Sequence, residues 1–494
     1  MAIATNVPQT NIPGRYASID NSNALEPNAG TNYKILLIGT ATAGSSGPTD
    51  TVVPIFSGTD GQQWGEGGML DRMITLAKGA NSSTPMYAIA LAEHVGGTKA
   101  TQAITVPTST ATANGTLHMY VGGQYTPVAV AKDDDEDAIA AAIGAAVTAK
   151  TSLPVSTQGV ALNVATLETK FEGAAGGSGA TAAGSIQIQF NRGVKEEFPP
   201  GVAEPTIVYT AGTNDPSITP AISAMVDVQY THIVLPYEDT PNQDLMKTEL
   251  DTRFGPEDQK WGVSFTAKID TTANLLTYGA SRNSQLQVTP EVAPGTASPL
   301  FECAAVMAAV AASEPDPAMP FQTLPLTGIV GAIDGAGVQR SDSERDSLLD
   351  SGIGTTKVVN GVVQIERFVT NYRENAAGAP DVSYKDIQTV LTVCVFRDAI
   401  NARFAQKYAR YKLGDDGNNF GAGQKVMTPT LARAEIVGVF ETFVEAAILE
   451  NVDQFKADLV VERSSIDKNR LEYSCAPDTI NQLRVLAGVI SFKL

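Results

Sequence analysis

The sequence predicts an α/β core built on a parallel-rich sheet. A strand-rich α+β insertion interrupts it, a helical C-terminal part follows it, and extended arms flank it at both ends. Three observations carry this prediction. Strand, helix and strand alternate from Tyr33 to Ala92, a rhythm that implies a parallel sheet. The rhythm breaks near residue 96 and resumes near 206, as a domain inserted at an exposed loop would cause. The last residues are apolar on both faces, with Leu483, Val485 and Val489 on one and Leu486, Ile490, Phe492 and Leu494 on the other. A strand of that kind must be buried on both faces, and left free it is an aggregation liability. It therefore closes the chain's own sheet or completes a neighbour's.

In chain order, residues 1–30 hold Pro8, Pro13, Pro27, several Asn and few large apolar groups, the pattern of an extended arm. Pro13, Tyr16 and Ile19 are its candidate anchors. The core takes residues 31–95 and 206–382. Its first half offers a buried strand at Lys34–Gly39, a helix at Gly68–Gly79 with Met69, Met73, Leu76 and Ala77 at helical spacing, and a second buried strand at Pro85–Ala92. The insertion, 96–205, is rich in Thr, Ala and Gly. Thr116–Val121, the Gly122-Gly123 turn and Tyr125–Ala131 predict a hairpin. Asp133–Asp137 predicts a helix start before Ala138–Ala149, because the helix macrodipole favours acids there. Gly173–Gly184 reads as a loop.

The core resumes with a helix at Ile218–Val228, a strand at Thr231–Pro236 and a helix at Asp244–Phe254. Strands are expected at Val263–Ile269 and Leu275–Ala280, a helix at Pro299–Ala312, and an edge-type strand at 361–372. The C-terminal part, 383–477, opens with a stretch (VLTVCVF) whose β-branched residues leave helix and strand both open. It continues as a helix over Asn401–Lys412, with Phe404, Tyr408 and Tyr411 at i, i+4 and i+7. Thr428-Pro429 starts another helix, and residues 478–494 form the terminal strand arm.

At 494 residues the chain is long for one core, so two to four domains are expected. Only 18% of residues are charged, a largely neutral surface that suits buried subunit contacts. The net charge of −19 disfavours nucleic acid as a partner. No apolar run approaches ~20 residues, so no membrane span is expected, and no secretory signal opens the chain. The acid is uneven: 211–382 carries 10 basic and 22 acidic groups, and 383–494 carries 14 of each. Within the latter, Arg403, Lys407 and Arg410 fall at i, i+4 and i+7, which is either a solvated face or a docking face for something acidic.

Catalytic chemistry finds little support. His94, His118 and His232 are the only histidines, none at metal-ligand spacing, so no metal or cofactor is expected. Cys303, Cys394 and Cys475 lie far apart and read as reduced structural thiols. The turn Gly39–Ser46 has the glycine spacing of a phosphate loop, but Ser45 stands where the lysine belongs. No G-x-S-x-G occurs. His232, with Asp239 just beyond its strand, is the one candidate base for an α/β hydrolase with a long insertion. A binding module or adhesin built on the insertion is a third reading.

Several stretches match one family in order along the chain. They are Ile12-Pro13-Gly14 with Ile19–Ser22, then KILLIG (34–39), then Gly115–Leu117 with Tyr120–Gly123, then Thr231–Tyr237 and Ser281–Ser284. Further on come Arg345–Ile353, Ser383–Thr389, Lys407-Tyr408, Lys412-Leu413, Asp415–Gly417, Thr428-Pro429, Val461–Arg463 and Val489–Leu494. By these the chain resembles the contractile tail sheath proteins of Mu-like bacteriophages over nearly its full length.

The resemblance implies a non-enzymatic, sheath-type core, called subtilisin-like, without a protease triad. It implies six-fold rings stacked as a helical homo-oligomer around a tail tube protein, with baseplate and tail terminator proteins as further partners. Contraction would drive the tube through the host envelope. The location implied is the virion tail, after assembly in the host cytoplasm. The arms would pair with strands of neighbours, through Pro13, Tyr16 and Ile19 at one end and Val485, Ala487, Val489, Ile490, Phe492 and Leu494 at the other. The C-terminal part would face the tube, with Arg403, Lys407 and Arg410 as candidate contacts, and the insertion would point outward.

Overall fold

The computed structural model describes residues 33–177, 186–193, 195–332, 339–418, 420–421 and 423–493. The described residues fall into two compact units. One holds 33–315, 319–391 and 482–493, and the other holds 316–318 and 392–481.

The first unit begins with β1 (Ile35–Thr40), β2 (Val52–Ile55), α1 (Met69–Ala80) and β3 (Met86–Leu91). β1 is buried along its whole length, as a central strand covered on both faces must be. It pairs in parallel with β3, Ile35 opposite Met86, while β2 runs antiparallel at the edge. The segment that follows folds on its own sheets: β4 (Lys99–Thr105), β5 (Gly115–Val121), β6 (Gln124–Val130), α2 (Glu136–Ala149), β7 (Val155–Ala161), β8 (Val164–Glu172), β9 (Ile188–Phe190) and β10 (Thr206–Thr210). One sheet has the order β10-β4-β8-β7 and the other β6-β5-β9. Leu117, Met119, Val128, Ile139, Ile143 and Leu167 form a shared core between them. The β5–β6 hairpin turns at Gly122 and Gly123, both at positive φ, which the glycines supply without strain. Asp135 caps α2, accepting from the Ala138 N–H at 2.9 Å. β10 pairs with β4, so this sheet extends past residue 205.

The core sheet is completed by α3 (Thr219–Met225), β11 (His232–Val234), α4 (Thr240–Phe254), β12 (Val263–Phe265), α5 (Thr272–Ala280) and β13 (Gln287–Val288). Its order is β13-β12-β11-β1-β3-β2. α6 (Leu300–Ser313) is buried along nearly its whole length and packs on α1. β14 (Pro325–Val330), α7 (Asp342–Asp350), β15 (Thr355–Val359) and β16 (Val362–Arg367) follow, the strands forming a small antiparallel sheet. Phe171 of β8 meets Phe301 of α6 edge-on at 5.5 Å, and the Lys170 Nζ donates to the Glu66 carbonyl at 2.7 Å. These contacts tie the 96–210 segment to the core.

One expectation needs correction, and one alternative left open is decided. Leu275–Ala280 is not a strand but the body of α5. Thr271 caps that helix, and Leu275 and Gly279, one turn apart, face inward. The ambiguous VLTVCVF stretch is helical, part of α8 (Ile387–Tyr408). Its buried residues Ile387, Val390, Leu391, Cys394 and Val395 follow helical spacing, and that burial overrides β-propensity.

The second unit takes α8 from Thr392 onward. After it come β17 (Lys412–Leu413), β18 (Val426–Met427), α9 (Pro429–Glu445), β19 (Leu449–Glu450), α10 (Val452–Asp458), β20 (Val460–Arg463), β21 (Leu471–Ser474) and β22 (Asp478–Thr479). Phe396 of α8, Phe440 and Phe443 of α9 and Phe455 of α10 form its aromatic core, Phe440 and Phe455 stacked at 3.8 Å.

Candidate functional site

The position where an α/β sheet usually takes a ligand is filled by the protein's own side chains. The strand order reverses between β1 and β11, and ligands in such sheets bind beyond the carboxyl ends at that point. There the Thr40 hydroxyl shares a 2.9 Å hydrogen bond with the buried Tyr237 hydroxyl. Gln243 Nε2 donates to the Tyr237 carbonyl at 2.7 Å and to Thr266 Oγ1 at 2.9 Å. The Gly39–Ser46 turn leads into the edge strand β2, so no helix N-terminus follows to hold a phosphate.

His232 is a core residue. It is 0% exposed, stacks on Phe265 at 5.7 Å and meets Tyr33 edge-on at 4.8 Å. Its Nδ1 pairs with the Thr231 hydroxyl at 3.0 Å. Burial pushes its pKa down to about 3, so the ring is neutral near pH 7. Asp239, the acid that sequence placed beside it, caps α4 instead, accepting from the Asn242 N–H at 3.0 Å. Cys303 and Cys394 are buried free thiols pushed up by burial.

The basic stripe is only partly as expected. Helix α8 stops at Tyr408, so Arg410 lies beyond it rather than one turn along the same face. Arg403 Nε lies 3.6 Å and Lys407 Nζ 3.5 Å from the Glu435 carboxylate on α9. Tyr408 also donates to that carboxylate. Arg410 is exposed.

Among the described residues the terminal segment joins no sheet. The last strand is β22, and among the described residues 481–493 carry no secondary structure. Val485, Leu486, Val489, Ile490 and Phe492 are exposed, Val489 and Ile490 at 94% and 95%. Ala487 is exposed as well. A strand apolar on both faces needs partners on both, and none of this chain's described segments supplies them. Leu494, Pro13, Tyr16 and Ile19 lie outside the described residues. Arg484, at the start of this segment, donates from Nη1 to Asp386 Oδ1 at 2.6 Å, a contact the sequence did not predict. Its signal was a cation near the start of an apolar run.

Comparison with known proteins places this architecture. The family described as phage tail sheath protein central domain matches residues 211–371. The phage tail sheath C-terminal domain matches residues 379–493. The Mu-like prophage FluMu tail sheath protein of Haemophilus influenzae is 31% identical over 497 residues, covering 99% of both proteins. The contracted helical sheath of the anti-feeding prophage is similar at 10% identity and a TM-score of 0.49, covering 98% of this chain and 99% of that one. The sheath tail protein of Desulfitobacterium hafniense is similar at 12% identity and a TM-score of 0.47, covering 94% and 100%. On the full-length relative and both domain matches, the chain belongs to the tail sheath family of Mu-like phages, structural proteins and not enzymes.

Proposed function

We propose that this tail sheath subunit polymerises by lending its terminal segment to a neighbouring copy. The carrying observation is the exposed apolar run from Val485 to Phe492, which pairs with no strand among the described residues. Strand addition would satisfy its backbone through main-chain hydrogen bonds and its side chains through pockets on the recipient. The N-terminal residues Pro13, Tyr16 and Ile19 would make the corresponding link at the other end.

A head-to-tail contact that does not close on itself yields a helical stack. In this reading six-fold rings stack around a tail tube in the virion tail, after assembly in the host cytoplasm, and meet baseplate and terminator proteins at the ends. Contraction would exchange one packing of the subunits for another of lower free energy, and the linked arms would keep them connected while they rotate. The 96–205 insertion would point outward. The C-terminal part would face the tube, with Arg410, and more weakly Arg403 and Lys407, as contacts. Negative-stain electron microscopy of the purified full-length chain tests the reading: tubes of stacked rings support it, and a uniformly monomeric protein at high concentration contradicts it.

A further inference from the structure

Asp386 immediately precedes α8 and is tied to the body of the first unit by its backbone, which bridges Val369. Its carboxylate serves two guanidinium groups from distant parts of the chain. Arg367, at the end of β16, donates from Nη2 to Oδ1 at 2.9 Å and to Oδ2 at 3.1 Å, and from Nε to Oδ1 at 3.1 Å. Arg484 donates from Nη1 to Oδ1 at 2.6 Å, and its Nη2 donates to Gln482 Oε1 at 2.7 Å. Arg484 and Val485 also help line a cleft formed by Phe321, Leu349, Phe368 and Gln388. Beyond Arg484 the described residues 485–493 are all exposed and make no hydrogen bond to another described residue.

We propose that Asp386 is the positioning residue of the terminal arm, the carboxylate that fixes where the arm leaves the subunit body. The proposal rests on the reading that the arm reaches a neighbouring copy. An exposed segment with no hydrogen bond to the described residues samples many directions, and each direction lost on assembly is an entropic cost. Holding Arg484 confines the root before any partner arrives. The asymmetry of the cluster matters as well. Arg367 grips Asp386 with a bidentate fork, so Arg484 can leave without stranding an unpaired carboxylate. Asp386 cannot be removed so cheaply, because two guanidinium groups would then face each other with no anion between them. The side chains are 20% and 23% exposed, so salt reaches the Arg484–Asp386 pair.

The test uses the full-length chain carrying Cys475→Ser, which removes the half-buried native thiol, with spin labels at Ser343→Cys on α7 and Leu486→Cys on the arm. The inter-label distance distribution is measured beside the protein concentration at which tubes appear. Arg484→Ala should broaden the distribution and raise that concentration roughly tenfold, a loss of one charge-assisted contact. Asp386→Asn should broaden it further, and Arg484→Lys should restore most of the parent behaviour. The melting temperature of the Arg484 variants should not change, which separates positioning from folding. An unchanged distribution and an unchanged tube concentration in Arg484→Ala overturn the assignment. A chain lacking residues 485–494 distinguishes the two levels. If it forms no tubes while Arg484→Ala forms them at the parent concentration, the Asp386 assignment fails and the arm reading stands. If the truncated chain forms normal tubes, the arm reading fails and takes this role in assembly with it.

Discussion

Glu302 on α6 and Arg72 on α1 form an ion pair at 2.7 Å, with the Glu302 side chain only 1% exposed. Burial pushes the Glu302 carboxyl up, and the Arg72 guanidinium pulls it back. Glu302→Ala would leave the arginine charge largely covered and unpaired, and should cost about 3–5 kcal/mol. Replacing both residues by methionine should recover most of that loss, since a well-packed apolar pair is often neutral. Denaturant unfolding of the single and double variants measures both effects.

Asp215 and His232 give opposite pH responses. Burial raises Asp215 from 3.8 to about 6; the Ala175 N–H lowers it and Asp239 and Glu238 add to the rise. The folded chain thus holds this proton more tightly than the unfolded one, so stability falls as pH rises through the window from 3.8 to about 6. Asp215→Asn keeps an acceptor for Ala175 without the charge. It should be more stable than the parent at pH 7 by about 2 kcal/mol after allowance for partial exposure, with the gap closing near pH 4.

For His232 the folded value is depressed from 6.5 to about 3 by burial. Its contribution is fully present above pH 6.5 and is lost as pH falls toward 3. The cost of charging this ring in the core is on the order of 5 kcal/mol, so His232→Leu should flatten the acid limb of the stability curve. Calorimetry from pH 4 to pH 8 separates the two variants.

Much of the core could be read from sequence because it rests on local signals. Ile35–Ile38 within KILLIG is an unbroken run of large apolar residues, and it lies in the fully buried β1. Gly122-Gly123 marked its hairpin, and the acids before Ala138 marked a helix start. Leu275–Ala280 reads locally as a strand, but the Thr271 cap and the burial of Leu275 and Gly279 one turn apart make it a helix. In VLTVCVF the three- and four-residue spacing was present, and β-branching obscured it. The Arg484–Asp386 contact joins residues 98 apart, and no local pattern reports that distance. The terminal segment was legible as apolar on both faces. Its exposure could be seen only once the rest of the chain was placed.

Two of the three basic candidates are already engaged by Glu435, so a triple charge reversal would confuse docking with folding. Arg403→Glu should place two carboxylates together and lower the melting temperature of the subunit. Arg410→Glu changes an exposed position beyond the helix and should leave the melting temperature unchanged. If this face meets the tail tube, Arg410→Glu should weaken co-assembly with tube protein, measured by co-sedimentation. Undiminished co-sedimentation removes Arg410 from the contact.

The most direct measurement of arm exchange is electron microscopy of the chain lacking Val485–Leu494. The segment from 485 to 493 makes no hydrogen bond to another described residue, so its removal should leave folding and the melting temperature intact. If the arm links neighbours, the truncated protein stays soluble and forms no tubes under conditions where the full-length chain does. Abundant tubes of normal length and diameter from the truncated chain would contradict that claim.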